Sequence, residues 1–518
     1  MKLLRVAALI SLLAIALDAQ SNLDEIAART LKEFNVPGVA VGVIQDGHVL
    51  VAKGYGVRKI GESAPVTEHS LFQIASNSKA FTSASLAILV DQKKISWDDR
   101  VIDVLPSFQM SDPYVSREMR IRDLLCHRSG LSLGAGDLML WPDASLSTAE
   151  FMRHLRFVPL ATSFRSHYAY DNVLYTVAGQ IIEKVSGMSW QDFIQQKVFD
   201  PLGMTESRPR AEELKPADET AMPHALNGEK LEVLALDHLG PGAPAGAILS
   251  SIHDMLSWAN VQLHEGEYAG GRLFSAEQSK QMWTPHIFMP VPDKYPPQLA
   301  SQRPNFQAYG LGWVLTEYQG ERIVFHTGGL GGMVTRVTLV PDKKLAILVF
   351  TNQEQGGAFN AITYSLLDQY LGHPTKDWVA AYGAVSKRHQ SEGNDTVAKA
   401  EAARNKSSQP SLPLDKYAGR YRDAWYGDVL VNNNGGKLGM QFSHSPRLTG
   451  ALEHFQYDTF IVHWNDRTMN ADAYVTFDLN PDASIHEVKM KPVSPLTDFS
   501  FDFQDLDLKP VTSSAKPW

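Results

Sequence analysis

Ser76-Asn77-Ser78-Lys79 sets a hydroxyl and an amine three residues apart at the head of an apolar stretch. On a helix, positions i and i+3 share a face, so the Lys79 amine reaches the Ser76 hydroxyl. A serine hydroxyl needs an adjacent base to act as a nucleophile at neutral pH. Lysine serves as that base when a dry, electropositive pocket lowers its pKa. If Ser76 opens the helix, its backbone N–H also points outward, toward an oxyanion. Ordinary Ser and Lys usage gives roughly two chance S-x-x-K matches in a chain this long. The second match, Ser513-Ser514-Ala515-Lys516, lies in a polar tail and reads as noise. After Ser76, by contrast, Ala80, Phe81, Ala84, Ala87 and Ile88 follow helical spacing. Leu86, Leu89 and Val90 make the other faces apolar too, the pattern of a buried helix.

Outward from this stretch, Leu23, Ile26, Ala27, Thr30, Leu31 and Phe34 predict a helix capped by Ser21 or Asn22. Residues 39–45 and 48–57 are β-rich and joined at Asp46-Gly47, a hairpin signal. A mostly helical region is expected from about residue 78 to about 300. Within it, 175–185 and 190–199 have helical patterning, broken at Ser186-Gly187. Strand character returns at 309–317, 322–326, 333–340 and 345–351. Strands at both ends of a helical middle predict an α+β domain over 20–375, with an antiparallel sheet completed by distant segments. Residues 376–413 read as a helical spacer and a Ser/Pro-rich linker. Residues 414–511 read as short alternating strands, a small all-β barrel, before a tail at 512–518.

The bulk numbers agree with two or more domains in 518 residues. A net charge of −9 and a pI near 6.0 argue against nucleic acid or an anionic membrane as the main partner. Lys2, Arg5, the apolar run 6–17 and Ala19 predict a signal peptide over 1–19, hence a periplasmic or secreted protein. That run is too short for a transmembrane anchor. Cys126 is the single cysteine, so no internal disulfide is expected, and its flanks read as a packed helix end. None of the 17 histidines has His-Glu-x-x-His or comparable spacing, so neither a metal nor another cofactor is expected. His127, His167 and His224 read as structural or solvent-exposed. A Gly-x-Ser-x-Gly elbow is absent, which disfavours an α/β-hydrolase.

Two further motifs carry chemistry. Tyr170-Asp171-Asn172 is the only Tyr-x-Asn. Its phenol relays a proton if a nearby ammonium depresses its pKa, and its amide orients Lys79 or a substrate carbonyl. The tripeptide is also an ordinary helix-cap turn. His326-Thr327-Gly328-Gly329 ends a strand, and its glycines let backbone approach a ligand, with the Gly329 N–H as a second oxyanion donor. The bland alternative is a flexible hairpin loop.

In this order the three motifs resemble the serine β-lactamase and penicillin-binding-protein superfamily, most of all its class C-like branch of esterases and D-aminopeptidases. Ile121-Arg122-Asp123-Leu124-Leu125 with His127 and Ser129-Gly130-Leu131, Pro201-Leu202-Gly203-Met204, Pro244-Ala245-Gly246 and Tyr309-Gly310-Leu311-Gly312-Trp313 extend the likeness over about residues 22–372. Residues 414–421 resemble the opening of a lipocalin-like domain. The resemblance implies a sheet flanked by helices with an all-helical subdomain, Ser76 as acylated nucleophile, and Lys79 and Tyr170 sharing acid and base work. It also implies Asn172, His326, Thr327, Gly328 and Gly329 in substrate binding, with Ser76 and Gly329 N–H groups on the oxyanion. Many members carry lysine where this chain has His326, a residue largely neutral at pH 7. Substrate-carboxylate binding then weakens, which favours ester or amide and short-peptide substrates, D-amino-acid peptides included. Two alternatives stay open: a β-lactamase or D-Ala-D-Ala carboxypeptidase, and a binding or sensor protein without turnover. A homo-oligomer is compatible with the sequence. The barrel is expected to cap the cleft.

Overall fold

The computed structural model describes residues 22–511. The expected leader, 1–19, and the tail, 512–518, lie outside the described residues. Eight antiparallel strands form one sheet, in the spatial order His48–Gly56, Gly38–Gln45, Leu345–Thr351, Met333–Val340, Glu321–Leu330, Val314–Tyr318, Gln307–Tyr309 and Ile287–Met289. Side chains alternate across a strand, and the neighbouring strands Gly38–Gln45 and Leu345–Thr351 therefore serve two cores. Val39, Val41, Val43, Leu345, Ile347 and Val349 pack with Leu23, Ile362, Leu366 and Trp378. Ala40, Ile44, Ala346, Leu348 and Phe350 face Phe81, Met255 and Leu256 instead. The turn Asp46-Gly47 has both residues at positive φ, 49° and 78°, the conformation that Asp-Gly supplies to a two-residue hairpin.

The helix Ser78–Asp91 is buried from Ser78 through Leu89. Its apolar surround includes Phe81 stacked on Trp258, with ring centroids 3.8 Å apart. The region 78–300 is less helical than its pattern suggests. Ser78–Asp91, Val173–Ser186 and Ile252–Leu263 are full helices, while the stretches between are mostly loops, short helical turns and strands of two to four residues. Two strands stand where one is expected over 309–317, because Gly312 turns the chain at φ 79° between them. The strand expected over 322–326 is longer, Glu321–Leu330, and contains the whole His326–Gly329 motif paired with Met333–Val340. That pairing removes the flexible-loop reading.

The helix Trp378–Ala403 starts on the sheet domain, with Trp378, Val379 and Tyr382 buried. Eight further strands follow, in the order Ile485–Pro492, Ala473–Leu479, Thr459–Trp464, Thr449–Gln456, Leu438–Phe442, Gly427–Asn433, Gly419–Asp423 and Lys509–Pro510. A bridge between Val488 and Leu508 brings the two ends together, so the antiparallel barrel is nearly closed. Its interior is filled by side chains: Tyr417, Phe442, Phe460, Trp464, Phe477 and Phe503 make edge-to-face and tilted ring contacts. Among the described residues, no helix is long and apolar enough to cross a membrane.

Candidate active site

Ser76 sits in a 3₁₀ turn, Ala75–Asn77, one step before the α-helix rather than as its first residue. Ala75 holds φ at 48°, a left-handed conformation costly for a residue with a Cβ. The turn is pinned to the sheet. Thr335 Oγ1 donates to the Ile74 carbonyl at 2.9 Å, and Asn77 Nδ2 donates to Thr335 Oγ1 at 2.8 Å. The strand Glu321–Leu330 passes so close that a Cβ on Gly328 would lie 2.1 Å from the Ile74 carbonyl oxygen. This close approach sets the Gly328-Gly329 backbone beside Ser76, and all of His326, Thr327, Gly328 and Gly329 line one cavity with Ser76, Tyr170 and Asn172.

Lys79 is fully buried, and its Nζ meets three oxygens: Ser76 Oγ at 3.1 Å, Asn172 Oδ1 at 2.6 Å and the Ala245 carbonyl at 3.1 Å. Burial pushes its pKa down to about 7, against the pull of Asp137 and Asp171. The charges near this buried amine are acidic rather than electropositive, so desolvation is what lowers its pKa. Asn172 occupies the N-cap position of the helix Val173–Ser186 without capping it. Its amide spans Lys79 and Asp137 instead, with Nδ2 donating to Asp137 Oδ2 at 2.8 Å.

The Tyr170 ring lies 4.8 Å from Lys79 Nζ. Its pKa is raised well above the ordinary phenol value by burial, with the Ser76 hydroxyl opposing. The expected depression by an ammonium does not occur, because the cost of a buried phenolate outweighs it. His326 is neutral: burial and the nearby Lys79 push its pKa down to about 3. Its Nδ1 lies 2.6 Å from the Thr327 carbonyl, which only accepts, so Nδ1 carries the proton. Nε2 then accepts from the Tyr309 hydroxyl at 2.7 Å.

Several groups here add to the three motifs, His127 and Asp171 from beside or within stretches already quoted and the others from elsewhere in the chain. His127 is wholly buried, its ring centroid 4.2 Å from that of Tyr170 at a tilt of 38°, with Nδ1 accepting from the Asp171 N–H. Of the other two histidines, His224 is buried and His167 is exposed. Asp137 and Asp171 are raised to about 7 by burial. Asp137 also accepts from Ser500 Oγ at 2.9 Å, a residue of the barrel domain. Next to it, Asp502 accepts from the N–H groups of Gly136 and Leu138 at 2.7 and 3.1 Å. Phe499 meets Tyr170 edge-on. The barrel domain thus forms part of the wall of a cavity of about 620 Å³, through Arg447, Met469 and residues 498–501. Cys126 is buried with its thiol pushed up to about 12, an inert group.

A helical turn that presents Ser76, a buried amine within reach of it and a strand opposite meet at one cavity. The family model Beta-lactamase matches residues 23–371, and the chain belongs to that family. A second model, Domain of unknown function (DUF3471), matches 403–510. Penicillin-binding protein 4 of Amycolatopsis lactamdurans is 30% identical over 357 residues, 66% of this chain and 86% of that protein. Unguisins hydrolase ungD' of Aspergillus campestris is 28% identical over 425 residues, 79% of this chain and 76% of its own. Among solved structures, the octameric penicillin-binding protein homologue from Pyrococcus abyssi aligns with a TM-score of 0.60 at 22% identity, covering 94% of this chain and 99% of that one. With such relatives, the protein is a serine hydrolase.

Proposed function

We propose that the protein hydrolyses carboxylic esters and amide or peptide bonds through an acyl-Ser76 intermediate. One observation carries this reading: the three partners of Lys79. A neutral amine has two N–H groups and one lone pair. Asn172 Oδ1 and the Ala245 carbonyl accept the two N–H groups, which leaves the lone pair facing the Ser76 hydroxyl. With a pKa near 7, about half of the Lys79 amines are in that form at neutral pH.

In acylation, the Ser76 O–H proton passes to Lys79 as Oγ attacks the substrate carbonyl carbon. The N–H groups of Ser76 and Gly329 hold the resulting oxyanion. Collapse breaks the bond to the alkoxide or amine leaving group, which takes a proton from the Tyr170 phenol, and Lys79 returns a proton to Tyr170. In deacylation a water gives a proton to Lys79 as it attacks the ester carbonyl; collapse breaks the bond to Ser76 Oγ, which takes that proton back from Lys79, and the acid leaves. A neutral Tyr170 suits the donor role, since its phenol keeps its proton at the start of each step.

The substrate preference follows from charge. His326 is neutral, and Arg447, the cationic side chain of the barrel wall, is paired with Asp466 at 2.8 Å and lies within 3.9 Å of Asp143 and Asp237. Asp137, Glu354 and Asp498 line the same cavity. This supports neutral or amine-bearing substrates over those with a free carboxylate, and disfavours the β-lactam and D-Ala-D-Ala alternative. The name of the unguisins hydrolase relatives supports a hydrolase acting beyond β-lactams. Lys2, Arg5 and the apolar run 6–17 support export.

The test compares p-nitrophenyl butyrate hydrolysis by the wild type and Ser76→Ala, with intact-mass detection of the acyl adduct, and sets the ester rate against that on a cephalosporin. Turnover lost in the variant, an adduct on Ser76 and a ratio favouring the ester support the reading. Equal rates in both proteins overturn the nucleophile, and a faster cephalosporin reaction overturns the substrate class. An adduct that accumulates without turnover favours the binding or sensor reading.

A further inference from the structure

Outside the cavity, two imidazoles and a carboxylate from three separate segments converge beside the strand that leads into the Ser76 turn. His69 precedes the strand Phe72–Gln73, which pairs with Leu249 and Ser250. Glu206 lies just before Arg208, which bridges to Leu249, and His253 is in the first turn of the helix Ile252–Leu263. None of the three lines the cavity. His69 Nδ1 is 2.7 Å from Glu206 Oε1, His253 Nδ1 is 3.7 Å from Glu206 Oε2, and the two rings lie 5.2 Å apart. One ligating atom from each residue falls within 4.8 Å of the other two. Ligands around a tetrahedral zinc ion stand about 3.4 Å from one another at bond lengths of about 2.0–2.1 Å. Modest rotation of the exposed rings closes the set to that size.

The carboxylate and one imidazole are held from behind. Ser251 Oγ donates to Glu206 Oε2 at 2.5 Å, fixing the carboxylate. Asp254, itself buried, accepts from the N–H groups of Glu206 and Ser207 at 2.9 and 2.8 Å and lies 3.1 Å from His253 Nδ1. Asp254 engages His253 through Nδ1, so Nε2 is the ring nitrogen left open to an ion. Imidazole with carboxylate is a donor set suited to zinc and its first-row neighbours.

We propose that His69, Glu206 and His253 form a structural site for Zn²⁺ or a similar first-row divalent cation, with water completing the coordination. The ion ties the 67–73 loop, the 205–208 loop and the head of the helix together. The ligands lie far apart in sequence, so no local spacing reveals the site.

The test uses the full chain stripped with EDTA. Zinc chloride is titrated by calorimetry, and thermal unfolding is followed with and without zinc, for the wild type, His69→Ala, His253→Ala and Glu206→Gln. One zinc per wild-type chain and a raised Tm are expected, with affinity weakened about 10-fold or more in each variant. The metal-free Tm of the variants reports that they fold. No zinc binding by the wild type overturns the proposal, as does binding unchanged in both histidine variants. An equal response to magnesium also overturns it, because a merely acidic patch would show that.

Discussion

In the proposed mechanism, the state of one amine governs the chemistry at the residue scale. Lys79 there must lose its proton before it can take one from Ser76, so activity should rise with pH through the pKa of about 7. Between pH 6 and pH 8 the neutral fraction grows about tenfold, and kcat/KM for an uncharged ester should grow with it. Asp137 raises that pKa, and Asn172 stands between the two groups. Asp137→Asn removes the charge and keeps an oxygen able to accept from Asn172 and Ser500. Its acid limb should therefore move to lower pH, with a pH–rate profile as the measurement. A limb that stays in place would show that Asp137 does not set the protonation of Lys79. Tyr170 adds no limb below pH 9, since burial keeps its phenol protonated.

At the scale of elements, backbone contacts hold the site. Gly328 lets the strand Glu321–Leu330 touch the Ser76 turn, and a methyl group there meets both the Ile74 carbonyl and Thr335 Oγ1, at 2.1 and 2.6 Å. Gly328→Ala should separate strand and turn, and a shift on the order of 1 Å at reacting groups costs about 100-fold in rate. Steady-state kinetics beside a Tm measurement distinguishes this from general unfolding. Asp502 caps the Gly136 and Leu138 N–H groups, both in a buried turn. Asp502→Ala leaves two donors unsatisfied and should cost about 2–4 kcal/mol in denaturant unfolding, while Asp502→Asn, whose single amide oxygen accepts from only one of the two N–H groups, should recover at most part of that. These contacts also explain what was legible beforehand. Ser76, Lys79, Tyr170, Asn172 and the His326–Gly329 run are short motifs on single elements, and the apolar helix and β-rich runs around them carry clear periods. Asp137, Ser500 and Asp502 announce nothing locally: Ser500 meets Asp137 across 363 residues, and only the folded chain joins them. The state of Tyr170 is hidden for the same reason, because a motif shows a neighbouring amine but not the depth of burial.

At the scale of the whole molecule, the barrel helps to shape the catalytic cavity. Its interior is packed with aromatic rings, so its contribution to binding comes from the edge it presents to the sheet domain: Arg447, Thr468, Met469 and the segment 498–501. Phe499 and Met469 are the bulky apolar members of that wall, and Phe499 also packs against Gly134 and Tyr170. If this wall limits the size of the acyl group, trimming it enlarges the range of substrates and leaves the Ser76–Lys79 pair untouched. Phe499→Ala with Met469→Ala should raise kcat/KM for p-nitrophenyl octanoate relative to the acetate by about 10-fold, the effect of about 1.4 kcal/mol in a relieved contact. The rate on the acetate itself should change little, which serves as the control for an intact site. Point variants are preferable to deletion of residues 406–518, since deletion would also strip Asp502 from the turn it caps. A chain-length profile identical to that of the wild type would mean that the barrel buttresses the 134–138 turn without selecting substrate. A uniform loss on all esters would place Phe499 in the positioning of Tyr170 instead.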